Sequence, residues 1–148
     1  MTFQLGGAAG VSGLTGDVST TDLALGFYSE LKIPAIGSIM ADFMFAPEVG
    51  NSGHFLGTLG LGYIYYLPLP VVDVGLMAGF KYFIIENYDN NPLGGYLGLR
   101  ANYSLGSSWK VGVMGRYNIT TEAFEAGSTE VDVDMWEFML TLGMKIGV

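Results

Sequence analysis

The sequence predicts an all-β fold, a closed antiparallel eight-stranded up-and-down transmembrane β-barrel that takes up residues 1–148 as one domain. Three observations predict it. Segments of about ten residues alternate so that one face carries no charge. In the last of them Trp136, Phe138, Leu140, Leu142, Met144, Ile146 and Val148 share one parity, and Glu137, Thr141, Gly143 and Lys145 share the other. Half the residues are hydrophobic and 14% are charged, yet no run approaches the roughly 18 unbroken apolar residues of a membrane helix. The connections between segments alternate short and long, the pattern of strands that turn tightly on one side of a bilayer and loop out on the other.

The expected strands are Thr2–Val11, Asp22–Lys32, Ile36–Ala46, Phe55–Leu67, Val71–Ile85, Gly95–Leu105, Trp109–Thr120 and Val133–Val148. Short turns fall at residues 33–35, 68–70 and 106–108, and longer loops at 12–21, 47–54, 86–94 and 121–132. An even strand number brings both termini to the short-turn end, expected to be periplasmic. The 23 glycines, too many for helices, suit bends and close packing inside a barrel. Aromatic residues gather at the ends of the outward faces: Phe3, Tyr65, Tyr103 and Trp109 near the short turns, and Phe45, Phe55, Tyr82, Tyr117 and Trp136 near the long loops. That is the arrangement of two interfacial girdles.

The charges follow the other parity. All six basic residues, Lys32, Lys81, Arg100, Lys110, Arg116 and Lys145, are expected to point inward, as are the acids Glu30, Asp42, Asp73 and Glu137. The lumen of so narrow a barrel is just filled by side chains, so opposite charges there should pair into a hydrogen-bonded network. Glu30, Asp42, Asp73, Lys81, Arg100, Arg116, Glu137 and Lys145 are its expected members, with Asp42, Arg100 and Arg116 near mid-height. Met40, Met44, Leu56, Ile64, Met77, Met114 and Met139, with Tyr28, Tyr66 and Tyr96, fill the space between. The expected lumen is plugged. An ion path gated by Asp42, Arg100 and Arg116 is the functional alternative.

The other ten acids lie in the long loops or beside them and give the chain its net charge of −8, which excludes a nucleic-acid partner. An acidic rim is first a solvated surface, and second a place where divalent cations bridge to lipopolysaccharide. No spacing here matches a dedicated metal loop. Catalysis is not expected: His54 is the only histidine, and a nucleophilic triad would have to be assembled from it with Ser52 or a distant serine. Without cysteine there is no disulfide or thiolate site, and no cofactor motif is present. Asn102-Tyr103-Ser104 and Asn118-Ile119-Thr120 match the glycosylation pattern but fall inside strands. The first strand starts at Thr2, so export is expected to depend on a leader outside these residues.

In topology, alternation, aromatic girdles and charged lumen, the chain resembles the small eight-stranded bacterial outer-membrane barrels typified by outer membrane proteins A, X and W. The resemblance covers the whole chain and implies a monomer inserted by the barrel assembly machinery. It also implies a role as anchor, surface protein or narrow conduit. The last strand is similar to the C-terminal assembly signal of such barrels but ends in Val148 rather than an aromatic residue. A conduit for small hydrophobic molecules is a second reading, with Gly10, Gly26, Gly60, Gly62 and Gly79 leaving room inside. A soluble ligand-binding barrel is a third.

Overall fold

The computed structural model describes residues 1–49, 54–86 and 88–147. Among the described residues there are ten strands: β1 (Thr2–Gly16), β2 (Asp22–Ile33), β3 (Gly37–Ala46), β4 (Leu56–Leu67), β5 (Val72–Ile85), β6 (Leu93–Leu105), β7 (Trp109–Thr120), β8 (Phe124–Ala126), β9 (Thr129–Val131) and β10 (Val133–Gly147). Eight of them close a barrel in the order β1-β10-β7-β6-β5-β4-β3-β2, each antiparallel to both neighbours. Closure leaves no open edge on this sheet, the condition for a sheet to cross hydrocarbon. β8 and β9 form a separate hairpin within the loop between β7 and β10.

The wall turns its apolar parity outward. Phe27, Leu97, Phe80 and Leu140 are 72%, 70%, 66% and 61% exposed, while their alternate neighbours Tyr28, Tyr96, Lys81 and Met139 are buried. An exterior of this kind, continued on every barrel strand, needs lipid rather than water around it. This removes the soluble-barrel reading.

Two differences from the sequence reading have a physical cause. β1 runs five residues beyond Val11, because Ser12–Gly16 keep pairing with Glu137–Val133 of β10 although their own glycines and hydroxyls break the apolar alternation. Pairing with a strongly patterned partner overrides the weak local signal. The segment 121–132, expected to be loop, contains the β8–β9 hairpin, which turns on Gly127 at φ 62°. Strands of three residues are too short to show alternation.

The inward glycines hold two aromatic rings. Tyr28 of β2 lies over Gly6 of β1 and Gly143 of β10, and Tyr96 of β6 lies over Gly79 of β5 and Gly62 of β4. Each ring occupies the space that two side chains would fill. On the outer face Trp136 covers Gly13 in the same way.

A Cβ added at Gly79 would lie 2.6 Å from the Gly62 Cα and 2.8 Å from Tyr96 Cε1, whereas one at the outward Gly115 meets nothing nearer than 3.9 Å. Gly79→Ala is therefore expected to destabilise the barrel by about 1–3 kcal/mol through overpacking. Gly115→Ala should be near neutral. Urea unfolding in lipid bilayers, followed by tryptophan fluorescence, measures both.

Candidate functional site

The lumen is built from the inward parity of all eight barrel strands and divides into levels. At the loop-side level β3, β5, β7 and β10 supply Asp42, Lys81, Arg116 and Glu137. Arg116 grips Asp42 with both terminal nitrogens, Nη1 to Oδ2 at 2.7 Å and Nη2 to Oδ1 at 3.1 Å. It holds Glu137 Oε2 through Nη2 at 2.6 Å and Nε at 3.0 Å. Lys81 Nζ closes the ring, 2.8 Å from Glu137 Oε1 and 3.3 Å from Asp42 Oδ1. Two carboxylates and two cations, all with side chains at most 2% exposed, thus neutralise one another.

Neutral groups satisfy the remaining capacity. Lys81 also donates to Thr58 Oγ1 at 3.2 Å, and Asn118 Nδ2 donates to Glu137 Oε1 at 3.2 Å. The Arg116 guanidinium sits 5.0 Å from the Tyr96 ring centre. Charge-assisted contacts of this density are what allow ions to stay in so dry a place.

The short-turn level repeats the design with one pair. Arg100 Nη1 meets Glu30 Oε2 at 2.8 Å, and Glu30 Oε1 accepts from the Tyr66 hydroxyl at 2.7 Å. Asn102 Oδ1 accepts from Arg100 Nε at 3.1 Å. The guanidinium lies 4.5 Å from the Tyr28 ring, whose hydroxyl accepts from Gln4 Nε2 at 2.8 Å. Of the three residues expected together at mid-height, Asp42 and Arg116 are bonded, while Arg100 belongs to the other level with Glu30. Asp73 lies at the short-turn mouth, ion-paired with Lys110 and 3.9 Å from Lys32. Lys145 donates to the Ser104 hydroxyl at 3.3 Å.

Apolar side chains seal the gaps. Ala8, Met40, Met44, Ile64, Met77, Met114 and Met139 form one buried cluster with Tyr28 and Tyr96. A second cluster, including Leu14, Leu56, Phe83, Phe124 and Met135, closes the loop end. Phe124 of the β8–β9 hairpin stacks edge-on against Phe83 and Tyr88 at ring separations of 6.1 and 5.6 Å. The glycines expected to leave room inside leave none: a side chain at Gly10 would strike the Phe138 carbonyl of the neighbouring strand, at Gly26 Met44, at Gly60 Asp42, and at Gly62 or Gly79 Tyr96.

Several rim acids hold the loops together. Asp17 exchanges hydrogen bonds with Asp132, as backbone donor at 2.9 Å and side-chain acceptor at 2.8 Å. Asp89 accepts from the Gly127 N–H at 2.8 Å and Asp134 from Thr120 N–H at 3.2 Å. Among the described residues no group of three or more His, Asp and Glu side chains is placed to hold a metal ion. His54 Nδ1 is 3.9 Å from Glu86 Oε2, and Ser52 lies outside the described residues. Asn102 and Asn118 are 2% and 0% exposed, so neither is open to glycosylation.

The aromatic residues of the outer face take up both ends. Phe3, Tyr65, Tyr103 and Trp109 lie near the short turns. Phe45 and Phe55 pack at 5.9 Å near the loops, with Tyr82, Tyr117 and Trp136 at the same end. Sequence reasoning passed over Gln4, Thr58, Asn102 and Asn118 as lumen groups. Their inward parity was the available signal.

Fold and lumen together define a small transmembrane β-barrel whose interior is lined by paired charges and buried apolar side chains. No family model matches the sequence, and no curated protein matches it. Among solved structures, Neisserial surface protein A is similar with a TM-score of 0.76 and 14% identity, over 98% of this chain and 97% of that one. A major outer membrane protein from Thermus thermophilus is similar with a TM-score of 0.68 and 17% identity, over 98% and 99%. The N-terminal β-barrel domain of Pseudomonas aeruginosa OprF is similar at 0.61 and 11%, over 98% and 97%. At these identities the likeness is one of fold: the chain has the architecture of the small eight-stranded outer-membrane barrels.

Among the described residues, Arg116 is the only cation touching both Asp42 and Glu137 through more than one bond each. Arg116→Met leaves two buried carboxylates against Lys81 alone and is expected to cost about 3–5 kcal/mol. Arg116→Met combined with Glu137→Gln restores the charge balance and should recover much of that loss. Urea titration of the refolded proteins in the same bilayer gives both numbers.

Proposed function

We propose that the chain is an integral protein of a bacterial outer membrane, a monomer with both termini in the periplasm. Its work lies in the wall and the surface loops rather than in passage through the lumen. The observation that carries this reading is the buried Asp42–Lys81–Arg116–Glu137 ring, roofed by the Phe83, Phe124 and Met135 cluster. An ion crossing here would have to displace at least one side chain from charge-assisted bonds while crossing an apolar layer. Insertion by the barrel assembly machinery and contact with lipopolysaccharide at the acidic rim, through divalent cations, belong to the same proposal. No catalytic role is part of it.

The runner-up reading, handling of small hydrophobic molecules, has one observation in its favour. A pocket of about 190 Å³ opens among the loops, lined largely by Leu14, Val18, Ile85, Tyr88, Phe124 and Val133. Its deeper neighbours Phe83, Leu56 and Met135 are buried in one cluster, so it is a cup for an apolar ligand and not the mouth of a conduit through the lumen. Uptake of an apolar solute by liposomes carrying the protein would establish the conduit instead.

Single-channel recording in planar bilayers tests the first reading. The unaltered protein is expected to stay quiet. Arg100→Ala should also stay quiet, since the loop-side ring and the apolar roof remain. Discrete currents from the unaltered protein that change with Arg100 or Arg116 would make the lumen an ion path and overturn the closed-barrel proposal.

A further inference from the structure

The short-turn end of the lumen opens into a cavity of about 260 Å³ lined by Thr2, Gln4, Glu30, Lys32, Pro34, Lys110 and Lys145. Three ammonium groups from three non-adjacent segments of sequence converge there in a protein whose net charge is −8. The two carboxylates nearby are engaged: Glu30 by Arg100 at 2.8 Å and by Tyr66 at 2.7 Å, and Asp73 by Lys110 and, at 3.9 Å, by Lys32. Counting Arg100 with the three lysines against Glu30 and Asp73 leaves this mouth two charges positive. Lys145 forms no ion pair among the described residues and donates to the Ser104 hydroxyl, at 3.3 Å. Behind them Arg100 Nη2 is buried without a hydrogen-bond partner.

We propose that this vestibule is a binding site for a small oxyanion of the phosphate class, held by Lys32, Lys110 and Lys145 with Gln4 and Thr2 as neutral polar lining. Like-charged ammoniums confined to one half-enclosed cavity repel one another, and a multivalent anion relieves that repulsion while its oxygens accept from several donors at once. The low-dielectric barrel wall beside the cavity focuses the field of the lysines into it. The same charge seen by the bilayer would attract the phosphate of an anionic lipid at the barrel's foot. Free phosphate and lipid headgroup are therefore two sources of one chemistry.

The test is calorimetric titration of inorganic phosphate into the refolded full chain in zwitterionic detergent. Saturable binding is expected, weakening as salt is added. Lys145→Gln, which breaks no ion pair, should weaken it on the order of three- to tenfold. Asp73→Asn removes the competing carboxylate and should tighten it by a similar factor, an opposite change that loss of folding would not produce. The parallel arm compares retention of phosphatidylglycerol and phosphatidylcholine in mixed micelles. If phosphate does not saturate but phosphatidylglycerol is preferred and Lys145→Gln abolishes the preference, the site stands and the headgroup is its ligand. The proposal is overturned if neither arm gives saturable, anion-selective binding, or if binding is indifferent to both substitutions.

Discussion

The constraint on which everything else depends is the width of an eight-stranded barrel. Its interior has room for side chains and little more, so any charge placed there must be neutralised by another side chain. That requirement explains why the charges enclosed within the lumen, three acids and three bases, are paired and not scattered. Asp42, Lys81, Arg116 and Glu137 form a ring with no net charge, and Glu30 and Arg100 a pair with none. Each carboxylate of the ring receives more than one donor. Desolvation is offset only where the geometry is that complete.

The glycines serve the same end. Two guanidiniums need flat partners in a space too tight for free rotation, and the rings of Tyr96 and Tyr28 provide them, at 5.0 and 4.5 Å. Those rings lie flat only because Gly62 and Gly79 on one side, and Gly6 and Gly143 on the other, present bare backbone. These four glycines thus serve the charged lumen by giving its aromatic rings a bare surface to lie on. Substituting glycine at these positions disturbs an arginine two contacts away, which couples wall packing to lumen electrostatics.

Much of this was legible in the sequence, and the limit is informative. Parity alone assigns inside and outside for Trp136 to Gly147, because one residue of slip would carry Lys145 and Glu137 into lipid. Parity does not tell which charges meet. Glu30 and Arg100 lie 70 positions apart on strands that are not neighbours, and their meeting depends on strand tilt and stagger. The expectation that groups Arg100 with Asp42 and Arg116 counts residues from the turns and leaves out that stagger. The hairpin β8–β9 and the extension of β1 were illegible for another reason: cross-strand partners create both, and neither has a periodic signal of its own.

The barrel is also electrically polarised. Ten acids sit at or beside the loops, while the strands carry four inward acids against six bases, so the barrel interior is two charges positive and the loop end ten negative. The excess positive charge is not spread along the lumen, since the ring and the Glu30–Arg100 pair are each neutral; it resides at the short-turn mouth with Lys32, Lys110 and Lys145. The loop acids are in part structural, accepting backbone N–H groups at Asp17, Asp89 and Asp134 that the tight loops would otherwise leave unpaired. The lysines at the other mouth have no such backbone duty. Between two oppositely charged ends lie two groups without net charge, the Asp42–Lys81–Arg116–Glu137 ring and the Glu30–Arg100 pair, so the polarity of the molecule is carried by its mouths and not by the middle of its lumen.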